Sequence, residues 1–68
     1  MTLEQMRIER AFSMADIARA LGVSALSVSR WENGQAKPST GSVRALAALY
    51  GVSVKEILNA IEETQQKK

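Results

Sequence analysis

Apolar residues recur along most of this chain at spacings of three and four, the period of an α-helix that buries one face. The clearest case lies near the C-terminus, where Val54, Ile57, Leu58 and Ile61 occupy positions i, i+3, i+4 and i+7. No stretch alternates with a period of two between turn signals, so no strand is predicted. The pattern therefore predicts an all-α fold.

Residues that cap helix N-termini mark where the helices begin. Hydroxyl side chains are followed three residues later by an amide or a carboxylate in three capping boxes: Thr2 with Gln5, Ser13 with Asp16, and Ser53 with Glu56. Ser24 is the expected cap of a further helix, and Ser39 or Thr40 that of another. The predicted helices are, in order, about Leu3 to Arg10, Met14 to Leu21, Ala25 to Glu32, Thr40 to Tyr50, and Val54 to Glu63.

Length and composition limit what the chain can form. Its 68 residues leave room for one domain with a small core, which we place at residues 1–63. Residues 64–68 are polar and are expected to fray. Cys and His are absent, which removes disulfides, the usual metal ligands and the usual general base. We therefore predict no enzyme, catalytic residue, metal, cofactor or small-molecule substrate.

Location follows from similar arguments. No run approaches the ~18 apolar residues of a membrane span. The N-terminus does not have the layout of a signal peptide. Together with the absence of Cys, this favours a cytoplasmic protein without membrane association.

The segment from Met14 to Asn33 has the pattern of two short helices joined by a tight turn. Ala18 is small where a second helix would cross the first, and Gly22 stands where the chain leaves the first helix with a positive φ. One apolar face continues across the turn, formed by Ile17, Leu21, Val23, Val28 and Trp31. Helical hairpins of ordinary bundles share such spacing, but it is typical of a helix-turn-helix, which predicts binding to duplex DNA.

Charge is distributed unevenly along the chain. The net charge is only +2, but between residues 17 and 55 five basic residues face one acid, Glu32. The basic residues are Arg19, Arg30, Lys37, Arg44 and Lys55. A modest positive field suits a polyanion, although the same charges also fit a solvated surface.

Several separated motifs resemble one family from Leu3 to Ile61. They are, in order, Gly22-Val23-Ser24, then Val28-Ser29-Arg30-Trp31-Glu32-Asn33-Gly34, then Lys37-Pro38-Ser39, then Leu46-Ala47-Ala48-Leu49-Tyr50-Gly51-Val52-Ser53, which leads into Ile57-Leu58. In these the chain resembles the Cro and lambda-repressor family of helix-turn-helix domains, also called XRE-type. The resemblance implies a compact five-helix domain and a transcriptional regulator, expected to be a repressor. It also implies that the helix beginning at Ala25 enters the major groove.

The resemblance implies four base-contacting residues, namely Ala25, Leu26, Ser29 and Arg30. Arg30 is the best candidate for pairing with guanine, although contact with a phosphate or an ion pair with a Glu are alternatives. Leu26 is suited to a thymine methyl group. Relatives commonly carry hydrogen-bonding residues at the positions of Met14, Ala25 and Leu26. The apolar residues here predict modest specificity, or dependence on thymine methyls and DNA shape.

Phosphate contacts are expected from helix N-termini and from the loop before the fourth helix. The residues are Ser13, Met14, Ser24, Ser27, Asn33, Gln35, Lys37 and Arg44. Lys37 is the firmest candidate, because it precedes Pro38 in a loop that resembles the backbone-contacting loop of the family.

The remaining expectations concern structure and partners. The resemblance implies a buried ion pair between Arg7 and Glu32. It also places Ala11 where the family often has Gly, so we expect either a positive φ or a different turn. The aromatic residues Phe12, Trp31 and Tyr50 are expected in the core.

We expect a homodimer on a two-half-site operator, with Ile57, Leu58 and Ile61 as the dimer interface. The alternative is an antitoxin or bridging module whose main partner is a protein. In that case Ala25, Leu26 and an exposed Ile8 would form part of the protein contact.

Overall fold

A computed structural model describes residues 1–66, which form five α-helices and no strand. They are α1 (Leu3–Glu9), α2 (Met14–Leu21), α3 (Ala25–Glu32), α4 (Thr40–Tyr50) and α5 (Val54–Gln66). The all-α prediction is confirmed, and the predicted limits of α2, α3 and α4 agree with the structure. None of the helices in this part of the chain is long and apolar enough to cross a bilayer.

Hydroxyl side chains begin the helices as predicted. The capping residues are Thr2, Ser13, Ser24, Ser39 and Ser53. Thr2 and Ser13 form complete capping boxes with their partners three residues later. Of the two candidate caps of α4, Ser39 and Thr40, the structure uses Ser39, whose Oγ accepts the Ser42 amide at 3.2 Å. Each cap satisfies an amide that the helix itself leaves without an acceptor.

The α5 helix ends later than predicted because Thr64 belongs to the core. Its side chain is 1% exposed. Its Oγ1 donates to the carbonyl of Ala60 at 2.7 Å and accepts the amide of Leu3 at 3.0 Å. The prediction of a frayed tail is therefore wrong for residues 64–66, and the rest of that tail, Lys67 and Lys68, lies outside the described residues.

The core lies where the inner faces of the helices meet. Packed pairs include α2 with α3 and α4, α1 with α3 and α5, and α4 with α5. The buried apolar residues are Leu3, Met6, Ile17, Ala18, Val28, Trp31, Val43, Leu46, Ala47, Tyr50, Ile57, Ala60 and Ile61. Leu21 and Val23 pack against this core from its edge, as the apolar face across the turn predicts.

Tyr50 connects the end of α4 to α1 and its following turn. Its ring stacks on the half-buried Phe12 with centroids 6.3 Å apart, and the Arg10 guanidinium lies 5.2 Å from its centroid. Arg10 Nε also donates to the Tyr50 carbonyl at 3.0 Å. Burial is the main cause that raises the pKa of the Tyr50 hydroxyl to about 12.

Among the described residues, the non-glycine residue with a positive φ lies in the turn after α1. Ala11 has a φ of 59° and an exposed side chain. Of the two expectations for this position, the positive φ is therefore the one found. The conformation costs a residue with a Cβ about 1 kcal/mol relative to Gly.

Candidate nucleic-acid interface

The turn between α2 and α3 has the conformation that the sequence predicts. Gly22 has φ 70° and ψ 32°, and the amide of Val23 donates to the Ala18 carbonyl at 3.0 Å. A Cβ on Gly22 would meet no atom within 4 Å, so the backbone angle and not space requires glycine here. Ala18 is buried in the core, and α2 packs against α3. Small residues thus stand at both positions where the helix-turn-helix pattern requires them.

The outer face of α3 is not covered by the described residues. Ala25, Leu26 and Arg30 are exposed, and Ser29 is half-buried. Leu26 is 58% exposed, although it is a large apolar residue. The opposite face carries Val28 and Trp31 into the core. The structure thus brings the four predicted base-contacting residues together on one accessible surface.

Arg30 makes no ion pair within residues 1–66. Glu32, its nearest acidic neighbour in sequence, is bonded through both carboxylate oxygens to Arg7. The alternative of an ion pair between Arg30 and a Glu is therefore not found among the described residues, and the Arg30 side chain is exposed. Beside it, Asn33 Nδ2 donates to Ser29 Oγ at 3.3 Å. This bond orients the Ser29 hydroxyl along the helix.

The start of α3 presents two hydroxyls and two amides. Ser24 Oγ accepts the Ser27 amide at 3.1 Å, and the two hydroxyl oxygens lie 3.0 Å apart. The first intrahelical bond is from the Val28 amide to the Ser24 carbonyl. The amides of Ala25 and Leu26 precede that bond, so they point out of the helix end, where the helix dipole favours an anion.

At the start of α2 the predicted capping box forms, and it uses the Ser13 amide. The Ser13 amide donates to Asp16 Oδ2 at 2.8 Å, and Arg19 Nη2 donates to Asp16 Oδ1 at 2.9 Å. Arg19, followed by the Ser13 amide and hydroxyl, lowers the pKa of Asp16 to about 2. An ionised carboxylate therefore occupies the Ser13 amide that we assigned to a phosphate. Met14, whose side chain packs partly against the core, retains an amide that faces outward.

The loop between α3 and α4 is held close to the end of α3. The Gln35 and Ala36 amides both donate to the Arg30 carbonyl, at 2.9 and 3.3 Å. Pro38 is buried, whereas Lys37 beside it is exposed. Lys37 and Arg44 line the same groove, so the structure brings these two predicted phosphate-binding residues to one side of the domain. Asn33 and Gln35 are exposed in the loop.

A buried ion pair attaches the end of α3 to α1. Arg7 Nε donates to Glu32 Oε2 at 2.7 Å, and Nη2 donates to Oε1 at 3.1 Å. Its Nη1 donates to the Phe12 carbonyl at 2.9 Å. The bonds to Glu32 raise the pKa of Arg7 despite its burial. This pair keeps α3 in place without using any atom on its outer face.

A groove of about 730 Å³ lies on the surface where α4 packs against α5, and the sequence did not predict it. Its apolar lining is Pro38, Val43, Val54, Leu58 and Ile61, and its polar lining is Lys37, Thr40, Arg44, Glu62, Gln65 and Gln66. The groove depends on how two helices pack, which periodicity does not encode. The apolar stripe along α5 was the one sequence feature that indicated a wall of this groove.

The predicted dimer interface is wrong for Ile57. At Ile61 only the small exposed part of the side chain, which lines the groove, is available to a partner. Ile57 is 0% exposed, and Ile61 is also buried in the core of its own chain. The reason is that α1, α3 and α4 all pack against α5. Leu58 is 52% exposed at the groove and stays a candidate, with Val54 beside it.

Comparison with known proteins agrees with this geometry. The sequence model of the family described as helix-turn-helix matches residues 3–57. The chain belongs to the XRE-type helix-turn-helix family. The match covers the turn at Gly22, the whole of α3 and the loop that carries Lys37, so the family assignment rests on the same segments as the exposed surface.

Two curated relatives are similar to this helix-turn-helix chain. The HTH-type transcriptional regulator DdrOP3 of Deinococcus deserti is 35% identical over 60 residues, covering 88% of this chain and 46% of the relative. The HTH-type transcriptional activator BcrR of Enterococcus faecalis is 28% identical over 60 residues, covering 88% of this chain and 29% of the relative. This chain thus spans less than half the length of each. No significant match was found among solved structures.

Proposed function

We propose that this chain binds double-stranded DNA sequence-specifically as a transcriptional regulator, with α3 in the major groove. The observation that carries the proposal is the uncovered outer face of α3, which has Arg30 unpaired within the described residues and Leu26 exposed. Membership of the helix-turn-helix family supports it, as does the similarity to a transcriptional regulator and a transcriptional activator. A major groove is wide enough to admit such a helix.

The contacts divide into two kinds. Base contacts are assigned to Ala25, Leu26, Ser29 and Arg30 on the outer face of α3. Phosphate contacts are assigned to the Ser13 hydroxyl, the Met14 amide, Ser24, Ser27, Asn33, Gln35, Lys37 and Arg44. Only the first kind determines sequence choice, whereas the second kind positions the protein and makes binding depend on salt.

Repression is the proposed outcome of binding. A protein that occupies DNA excludes other proteins from it and needs no surface beyond its DNA contacts, whereas activation needs a further surface for the transcription machinery. In-vitro transcription from a promoter that overlaps a selected site tests this. Reduced transcript supports repression, and increased transcript contradicts it.

An electrophoretic mobility shift at two salt concentrations tests DNA binding itself. Lys37 and Arg44 are the cationic members of this set. If each neutralises one phosphate, affinity for a random duplex pool should fall about tenfold per chain between 50 and 200 mM salt. A decrease in affinity of that size supports the proposal. Absence of a shifted duplex at low salt contradicts it and favours the second candidate, a protein-binding module. That candidate is supported by Ile8, which is 58% exposed on α1.

We also propose that the regulator is a homodimer, with a second copy seated on the groove between α4 and α5. The groove and the exposed Leu58 lie on one surface, so a two-fold axis inserts the Leu58 side chain of each copy into the groove of the other. An apolar patch with this self-complementarity suits an isologous contact.

Sedimentation of wild type and two variants tests the homodimer. Leu58→Glu places a charge in the proposed interface and should give a monomer. Ile8→Glu alters a side chain of similar exposure on α1 and should leave the dimer intact. A wild-type protein that stays monomeric at high micromolar concentration, with and without palindromic DNA, contradicts the proposal.

A further inference from the structure

We propose that α3 recognises the C5-methyl group of thymine in the major groove, and that Leu26 is the residue that determines this specificity. The inference rests on the proposed DNA binding and names the chemical feature that the surface selects. It arises from the order of side chains along the outer face of α3. Apolar groups come first, and hydrogen-bonding groups follow one turn later.

Position in the helix gives Leu26 this role. Ala25 and Leu26 are the first two residues of α3, and its Ser24 cap precedes them. In a helix-turn-helix the N-terminal residues of the second helix contact base edges. Leu26 is 58% exposed, so most of its side chain is accessible. The end of the helix that approaches the bases therefore presents an aliphatic side chain.

An aliphatic side chain discriminates between base pairs by what it leaves unpaired. In the major groove thymine offers a C5-methyl group beside its O4 acceptor, whereas guanine, adenine and cytosine offer hydrogen-bond donors or acceptors and no methyl group. Leucine can neither donate nor accept a hydrogen bond. A base donor or acceptor that packs against leucine therefore loses its hydrogen bond to water and gains none in return. Burial of a methyl group is favourable instead. The surface thus favours thymine and disfavours the alternatives at that step.

Arg30 sets where this thymine lies relative to a guanine. Leu26 and Arg30 are four residues apart on one face of α3, a rise of about 6 Å along the helix. Successive bases of one strand are about 3.4 Å apart. If Arg30 pairs with a guanine, the thymine that contacts Leu26 lies within about two base pairs of it. Ser29, whose hydroxyl accepts from Asn33, contributes the remaining polar contact of this face.

The test uses a random-sequence duplex pool as probe. Wild type selects its preferred duplexes, and the best one is rebuilt with deoxyuridine at each thymine in turn, which removes only the methyl group. At one or two positions near a guanine, this replacement should weaken binding about three- to tenfold. Cytosine at the same position should bind more weakly than 5-methylcytosine, because the latter restores the methyl group.

Two variants assign the effect to its residue. Leu26→Ala keeps a good helix former at an exposed site, so the fold is retained, as circular dichroism will verify. It should bind the thymine and deoxyuridine duplexes equally. Ile8→Ala is the matched control, since Ile8 is also 58% exposed but lies on α1. It should keep the wild-type preference for thymine.

The remaining outcomes distinguish failure of methyl recognition from failure of DNA binding. If wild type binds every thymine and deoxyuridine duplex equally, methyl recognition is wrong while DNA binding stands. A thymine preference that persists in Leu26→Ala overturns the assignment to Leu26. If no duplex is retained from the pool by folded protein, the proposed function fails, and this inference fails with it.

Discussion

At the scale of single residues, Arg7 determines where α3 can lie. Its guanidinium donates to both oxygens of Glu32 and to the Phe12 carbonyl, and both charged side chains are buried. Two buried charges are tolerated only while they remain paired and hydrogen-bonded. We therefore expect the pair to constrain the geometry of the domain more than it adds to stability, because replacing both partners of a buried pair generally costs less than removing one.

A double-mutant cycle measures the coupling between Arg7 and Glu32. Arg7→Met or Glu32→Leu alone should destabilise the protein by about 3–5 kcal/mol, because each leaves a buried charge without its partner. The double variant should recover much of that loss, but not all, since the Phe12 carbonyl loses its donor. Urea denaturation gives the values, with Glu32→Gln as a milder single variant. Additive losses in the double variant would contradict a coupled buried pair.

Tyr50 makes stability depend on alkaline pH. Burial raises the pKa of its hydroxyl to about 12, above the ordinary value near 10. The unfolded chain therefore loses the phenol proton first as pH rises. The stabilisation from the neutral phenol is complete below about pH 10 and is lost as pH rises to about 12. The free energy of unfolding should decrease across that interval in wild type and decrease less in Tyr50→Phe. Parallel curves for the two proteins would show that the phenol is not responsible.

At the scale of elements, helix starts were predictable because their causes are local. A cap and its partner lie three residues apart, so Ser24 indicates the start of α3, and the pair Ser39 and Thr40 indicates that of α4 to within one residue. The end of α5 was not predictable, because Thr64 is held by the Leu3 amide 61 residues away. The stripe along α5 likewise identified an apolar face. Only the packing of α1, α3 and α4 showed that Ile57 lies wholly inside.

Thr64→Val tests the bond that joins α5 to α1. Valine keeps the branched shape but removes the hydroxyl, so the buried Leu3 amide loses its acceptor at a cost of about 1–3 kcal/mol. The melting temperature should fall by about 4–8 °C for each kcal/mol lost. Hydrogen exchange at the Leu3 amide should also accelerate. Thr40→Val, at the exposed start of α4, is the matched control and should change little. Equal effects of both variants would contradict a role for the Leu3 bond.

At the scale of the whole molecule, the described domain measures 26 × 23 × 23 Å and leaves one face of α3 uncovered. The motif from Gly22 to Lys37 was enough to predict that face, since the turn and its apolar positions are close in sequence. The availability of individual groups was predictable only where its cause is local. The Ser13 amide is bonded to Asp16, as their predicted capping box requires. Lys37 and Arg44, in contrast, line a groove that exists only once α4 packs on α5.

The most direct test of the account compares the duplexes that wild type, Arg30→Ala and Lys37→Ala select from a random pool. Both side chains are exposed, so neither change should disturb the fold. Arg30→Ala should lose preference at one guanine position of each half-site, equivalent to about 1–3 kcal/mol. Lys37→Ala should weaken binding to all sequences alike and reduce its salt dependence. If the two variants change affinity and sequence preference in the same way, α3 does not contact the bases as proposed.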